Sequence, residues 1–163
     1  MEQKMTISIA LITASSTRTL AEDSAGDALE STISSHDDMS IVMRTLCNDN
    51  RAELTQAIID AIDVHHADIV LTCGGTGLGP ADVTPEATLD ACDRIVPGIA
   101  EAMRAASLQK TSHAMLSRGI CAQRGKSVVI NLPGSLKGAT ENLEVVIDEF
   151  PHIVKMAWGG GHK

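Results

Sequence analysis

Residues 68–86 read DIVLTCGGTGLGPADVTPE. Asp68 to Cys73 is nearly all apolar beyond its first residue, as expected of a central strand covered on both faces. Four glycines then fall within six residues, at Gly74, Gly75, Gly77 and Gly79. Such a backbone can approach a ligand closely and adopt positive φ. Thr84-Pro85-Glu86 starts a helix, with Thr84 as N-cap and Pro85 at the first helical position. A helix start offers free N–H groups and the positive end of a dipole, so strand, loop and helix together describe an anion cradle. Glycine loops also serve as plain turns, and Asp82 is what sharpens the reading. An acid facing a phosphate needs a cation between the two, and a magnesium nucleotide meets that need.

Elements of alternating type lie on both sides. Met5–Ala14 reads as a buried strand, Leu20–Ser34 as a helix and Met39–Leu46 as a second strand. Asn48-Asp49-Asn50 offers a cap to a helix whose stripe is Leu54, Ala57, Ile58, Ala61 and Ile62. After the glycine loop, Pro97 and Gly98 open a helix carrying Ile99, Met103 and Ala106. Ser117–Cys121, a turn at Gln123-Arg124-Gly125-Lys126, and Ser127–Leu132 form a strand, turn, strand unit. Ser135 caps a helix with a stripe of Leu143, Val146, Ile147 and Phe150. A short helix follows over Pro151–Trp158, then a flexible tail at about 159–163. Alternating strands and helices imply parallel pairing through right-handed crossovers. The expected fold is three-layer α/β/α, with a mostly parallel sheet and a short antiparallel strand pair. Such sheets bind ligands at the carboxyl ends of their strands.

Two better-known phosphate motifs do not fit. Gly125-Lys126-Ser127 resembles the end of a Walker A loop, but the earlier glycine would have to stand at Ile120, and a strand follows instead of a helix. Gly75, Gly77 and Gly79 do not make a dinucleotide fingerprint, whose place is after the first strand.

Composition bounds the function. The 163 residues favour one domain over 1–163, and 44% hydrophobic residues suffice for a core. A net charge of −8 argues against a nucleic-acid footprint, although not against one bound nucleotide. No run reaches about 18 apolar residues, so no membrane span is expected, and without a signal-peptide layout a cytoplasmic location follows. Cys47, Cys73, Cys92 and Cys121 form no close pair and read as buried, reduced thiols. Met103, Met115 and Met156 read as core. His65-His66 is no metal pair, because adjacent helical residues point about 100° apart.

The motifs GGTG, GPADVTPEAT, VPGIAEAMRAASL, SRG and NLPGS together resemble the MogA/MoaB family of molybdenum cofactor biosynthesis proteins, which includes the G domain of gephyrin. The resemblance runs from about Ile7 to His152. It implies a mixed α/β domain that forms a homotrimer, with a hexamer as the other assembly. The implied activity takes Mg²⁺, ATP and molybdopterin to adenylyl-molybdopterin and pyrophosphate. A separate enzyme then inserts molybdate.

The resemblance also assigns residues. Gly74, Gly75, Thr76 and Gly77 match the loop that holds nucleotide phosphates, with Thr84 and Glu86 at the following helix start. Asp82 and Asp49 match two acids tied to catalysis and are candidates for Mg²⁺. Ser15, Thr17 and Arg18 match the turn after the first strand. Asn131, Pro133, Gly134, Ser135 and Lys137 match the N-x-P-G-S-x-K loop. Ser15, Arg18, Ser107, Asn131, Pro133, Gly134, Ser135 and Lys137 are candidates for molybdopterin.

Three positions depart from the family pattern. Ser16 stands where an Asp is usual, Ala25 where a Ser is usual, and Leu136 where a Pro is usual. The first two leave open a pterin-binding scaffold without catalysis. A nucleotide pyrophosphohydrolase is a further alternative on the same fold. Plainer readings stand beside each assignment. Asp49 and Asp82 both sit where they could cap helices, Arg18 and Lys137 could be surface charges, and His113 is at most an occasional substrate contact. With no Tyr, and with Phe150 and Trp158 as the only aromatics, no stacking platform for adenine is evident.

Overall fold

The structure is a computed structural model that describes residues 5–161. Its centre is β3 (Ile69–Cys73), buried at every residue. On one side it pairs in parallel with β1 (Ile7–Ala14), which in turn pairs in parallel with β2 (Met39–Cys47). On the other side it pairs in parallel with β6 (Ser127–Leu132). The sheet is completed by β5 (Cys121–Arg124) and β4 (Arg94–Ile95), both antiparallel, giving the order β2-β1-β3-β6-β5-β4.

Alternation along the strands divides the core in two. Ile7, Ile9 and Leu11 of β1 face one way, with Ile69, Leu71 and Ile130, and meet α1 (Ser24–Ser34), α4 (Pro97–Leu108), α5 (Leu136–Val146) and α6 (Phe150–Ala157). Ala10 and Ile12 face the other way, with Val70 and Val129, and meet α2 (Arg51–Asp63) and α3 (Thr84–Ala91). The fold is therefore three-layer α/β/α with a mostly parallel sheet. Among the described residues, no helix is long and apolar enough to cross a membrane.

Several boundaries differ from expectation, each for a local reason. The helix expected over 20–34 is interrupted, because Leu20–Glu22 forms a 3₁₀ turn and α1 starts only at Ser24. Asp23, wholly buried, caps it by accepting from Gly26 N at 3.1 Å. The strand expected at Ser117 starts at Cys121, and Gln123 and Arg124 belong to the strand instead of the turn. Gly125 at φ 56° allows a two-residue hairpin with Lys126, so no longer turn is needed. The two-residue β4 is too short to leave a periodic signal.

The stripe ending at Phe150 is split by a 3₁₀ turn at Ile147–Glu149, with Pro151 in the first turn of α6. Gly159 and Gly160, expected as tail, close α6 by donating to Met156 O and Lys155 O, a Schellman cap with Gly159 at φ 84°. The rest of the expected tail, His162 and Lys163, lies outside the described residues. Met103 is buried, but Met115 and Met156 are 64% and 43% exposed and are not core. All four cysteines are free, yet only Cys73 and Cys121 are buried, with Cys47 and Cys92 half-buried.

Candidate functional site

The four parallel strands end on one edge, and the loops leaving them carry most of the candidates. Register brings them together: Ala14 pairs with Cys47, and Thr13 with Cys73, which also pairs with Leu132. The loops after β1, β2, β3 and β6 are therefore neighbours.

The glycine loop after β3 is closed by tight backbone approaches. Gly74, at φ 98°, lies so that a Cβ would come 2.7 Å from Ala14 O. Its Cα in turn lies 3.1 Å from where a Cβ on Gly134 would be, so the β3 and β6 loops touch through two glycines. At Gly75, φ is 68° and a Cβ would fall 2.2 Å from Thr84 Oγ1. Thr84 N donates to Gly75 O at 3.1 Å, folding the start of α3 back under the loop. Val83 is the N-cap of α3, and Thr84 is already helical. The expected capping bond is absent because the Thr84 hydroxyl points at the loop, where Oγ1 is fully buried without a hydrogen-bond partner.

Asp82 is not a helix cap either. Its Oδ2 accepts from Gly79 N at 2.9 Å and lies 2.8 Å from where a Cβ on Gly77 would be. The carboxylate thus rests across the glycine loop. Asp49 is also free of capping, since Asn50 caps α2 by accepting from Glu53 N at 3.0 Å. Asp49 instead bridges to the loop after β1. Its Oδ2 accepts from Ser16 N at 3.1 Å and Ser16 Oγ at 3.2 Å, and its N–H donates to Ser16 Oγ at 2.9 Å. Ser16 is therefore the anchor of Asp49. Ala25 is wholly buried in the core, so that departure from the family pattern lies away from any substrate surface.

The β1 turn is held from within. Ser15 Oγ accepts from Thr17 N at 3.3 Å and Arg18 N at 3.0 Å, and Arg18 Nη1 donates to Gly134 O at 3.3 Å. A cavity of about 410 Å³ opens beside the glycine loop, between α4, the 3₁₀ turn Ser112–Leu116 and the start of α5. Thr76, Gly77, Ser107, Asn131, Pro133, Ser135 and Lys137 all line it, whereas Ser15, Arg18, Gly134, Asp49 and Asp82 do not. Its volume falls within the usual range for small-molecule sites. His113 and Lys110 also face it, and Lys110 Nζ sits 3.2 Å from Glu141 Oε1. Ser135 caps α5, accepting from Gly138 N at 3.0 Å. Ser107 Oγ accepts from Asn142 Nδ2 at 3.2 Å.

Asn131 serves the fold as well as the cavity. Its amide donates to Thr72 Oγ1 and Thr88 Oγ1, both at 2.9 Å, and its Oδ1 accepts from Ile120 N at 3.1 Å. Glu86 is ion-paired to Arg118, and that hydrogen bond holds its carboxyl below the ordinary range. Arg118 has no assignment from the sequence beyond its place in the SRG motif. It donates from Nε to Gly77 O at 2.8 Å and from Nη2 to Asp82 O at 2.7 Å, while its backbone N–H reaches Thr76 O at 2.8 Å. Only its position beside the glycine loop in space reveals this contact, 36 residues from Asp82 along the chain.

Among the described residues, no three His, Cys, Asp or Glu side chains gather as a metal site. The donor chemistry nevertheless suits Mg²⁺, which is commonly held by one or two carboxylates with substrate phosphates completing its shell. Asp49 and Asp82 each commit one oxygen to the fold and keep Oδ1 without a hydrogen bond among the described residues.

A doubly covered, mostly parallel sheet with a glycine-rich loop and a cavity at its strand ends defines the class: an α/β protein whose candidate site lies at the carboxyl edge of the sheet, where such folds bind ligands. The model of a probable molybdopterin binding domain matches residues 8–152, and the chain belongs to that family. A molybdopterin adenylyltransferase of Helicobacter pylori is 35% identical over 158 residues, covering 94% of this chain and 89% of that protein. The crystal structure of the molybdopterin biosynthesis enzyme MoaB of Thermus thermophilus is 36% identical with a TM-score of 0.85, covering 96% of this chain and 99% of the other. The tungsten cofactor synthesizing protein MoaB of Pyrococcus furiosus is 30% identical with a TM-score of 0.82, covering 93% and 97%.

Proposed function

We propose that the protein transfers the adenylyl group of Mg-ATP to the terminal phosphate of molybdopterin. A phosphate oxygen of molybdopterin forms a bond to the α-phosphorus of ATP. The α–β bridging bond breaks, and pyrophosphate leaves with its electron pair. The observation that carries this reading is the glycine loop with the Asp82 carboxylate laid across it, bordered by a cavity of about 410 Å³. The H. pylori relative named above, an adenylyltransferase of nearly the same length, supports the same reaction.

No protein nucleophile is required, so catalysis consists of positioning and charge neutralisation. The N–H groups of Gly75, Thr76 and Gly77 hold phosphate oxygens, since that of Gly74 is taken by Leu132 O and that of Thr84 by Gly75 O. The cavity takes the pterin, with Ser107, Ser135 and Lys137 on its wall. Ser15, Arg18 and Gly134, outside it, shape the neighbouring strand ends. Glu86 acts through Arg118, because an ionised carboxylate repels a phosphate. Asp82 and Asp49 are the residues that would hold Mg²⁺, which supplies charge neutralisation on the phosphate oxygens.

The scaffold alternative rested on Ser16 and Ala25. Burial of Ala25 and the three hydrogen bonds that tie Ser16 to Asp49 support the enzyme instead. The chain is taken as one domain that works in the cytoplasm as a homotrimer, with a hexamer distinguished by light scattering. A separate enzyme would consume the adenylylated product and insert the metal.

The test is a pyrophosphate-release assay with ATP alone and with ATP plus molybdopterin. Release that requires molybdopterin, and is lost in Asp82→Asn while the circular dichroism melt is kept, is the expected result. Release from ATP alone points to a hydrolase. Tight pterin binding with no release points to a scaffold.

A further inference from the structure

We propose that Arg118 is a positioning residue that fixes the glycine loop and Asp82 in their working shape and ties them to the wall of the neighbouring cavity. The functional consequence rests on the adenylyl-transfer reading; the positioning itself rests on geometry alone.

The glycine loop has a problem that glycine creates. Four glycines lose more backbone entropy on ordering than other residues would, roughly 1–2 kcal/mol per residue fixed, and the loop lies in no helix or strand. Something outside it must hold it. The Asp82 carboxylate supplies one bond, to Gly79 N. Arg118 supplies three: its backbone N–H donates to Thr76 O, which any residue would do, and its guanidinium donates to Gly77 O and Asp82 O. These bracket the loop at its start and at its acid. A guanidinium suits this task because its donors lie in a rigid plane, whereas an ammonium is a single point on a flexible stem.

The clamp is itself clamped. Arg104 of α4 donates to Gly119 O at 2.7 Å and Ser117 O at 3.4 Å, on either side of Arg118. Ile120 N donates to Asn131 Oδ1, and Asn131 N donates to Ile120 O at 2.9 Å. Arg104, Ser117, Gly119 and Asn131 all line the cavity. The segment 117–120 is therefore a shared wall, with the cavity on one face and the Arg118 fork on the other. Charge follows the same logic. Arg118 is paired with Glu86 on α3, so its positive charge is neutralised inside the protein instead of on a phosphate. Its work is order, not charge.

The test uses the full chain as wild type, Arg118→Ala and Arg118→Lys. Amide hydrogen exchange is read over residues 74–83 without ligands, beside pyrophosphate release. The expected result is exchange about tenfold faster over 74–83 in both variants, with β1 and β3 as protected as in wild type. Turnover should fall about a hundredfold through kcat, as expected when a catalytic group is slightly misplaced, with KM for molybdopterin little changed. Free guanidinium should restore part of the lost turnover to Arg118→Ala but none to Arg118→Lys. Unchanged exchange over 74–83, or a lysine variant with wild-type turnover, overturns the proposal. If Arg118→Ala does not fold, Arg118→Lys, which keeps a cation beside Glu86, carries the same readouts. If the wild type releases no pyrophosphate, the adenylyl-transfer reading fails, and the exchange measurement still decides the role of Arg118.

Discussion

At the scale of single residues, the candidate acids differ in how they are held, and this determines how each responds to change. Asp49 is anchored entirely through Ser16, which donates to it from N and Oγ and accepts from its N–H. Ser16→Ala keeps the backbone bond but removes both bonds through Oγ. Turnover should fall about tenfold with little change in melting temperature, since the site is exposed. Equal loss of stability and turnover would instead make Ser16 a purely structural anchor. Gly75 is constrained more severely. A Cβ there meets Thr84 Oγ1 at 2.2 Å, and φ of 68° strains any side chain. Gly75→Ala should cost about 1–3 kcal/mol by urea denaturation. Adding Thr84→Ala should recover part of that loss by removing the clash, leaving only the strain. No recovery would show that the φ angle alone sets the cost. The need for glycine at 74, 75 and 77 was legible in the sequence. The roles of Ser16 and Arg118 were not, because each works on residues far away along the chain, and no local pattern announces a fork aimed at distant carbonyls.

At the scale of elements, the strands and most helices could be read from apolar periodicity, because the sheet is covered on both faces and its strands are plainly hydrophobic. Errors fell where a polar side chain decides the boundary. Asp23 sits inside the expected helix over 20–34 and ends it from within, since it serves three partners at once: Thr13 Oγ1 at 2.7 Å, Gly26 N at 3.1 Å and Arg44 Nη2 at 3.3 Å. The β5 start is displaced for a related reason. Segment 117–120 gives its hydrogen bonds to Arg104, Asn131 and the glycine loop instead of extending the ladder. Asn131 joins β6 to β3, α3 and this segment, with every amide position used. Asn131→Ala therefore orphans buried groups on three elements. It should cost about 2–4 kcal/mol in a urea titration, more than any single surface change. A loss under about 1 kcal/mol would mean that Thr72 and Thr88 re-pair with each other, and that the network is not a joint between layers.

At the scale of the molecule, acid stability depends on ion pairs that fasten α2 and α3 to their surroundings. Arg51 at the start of α2 pairs with Asp90 in α3 at 2.6 Å, and Arg124 of β5 pairs with Asp63 at the end of α2 at 2.7 Å. Glu86 of α3 pairs with Arg118. Hydrogen bonds from these arginines hold Asp90, Asp63 and Glu86 below the ordinary carboxylate range. A carboxylate whose folded pKa lies below its unfolded value stabilises the fold fully above the unfolded value. That contribution is lost as pH falls through it and on through the folded one. The pairs are largely exposed, so each contributes little and the decline should be gradual. Charge adds to it at the same pH. The net charge is −8 near neutrality, but once the 21 acids are protonated, 13 lysines and arginines and 6 histidines repel one another with nothing to oppose them. The urea midpoint should hold between pH 7 and about 5, then fall steadily towards pH 3. Arg124→Gln should start lower at pH 7 and approach the wild type only as pH falls through the folded pKa of Asp63, which the Arg124 hydrogen bond holds below the ordinary carboxylate value. Curves that stay parallel across the range would show that the Arg124 pair contributes no pH-linked stability, leaving charge repulsion alone to account for the acid limb.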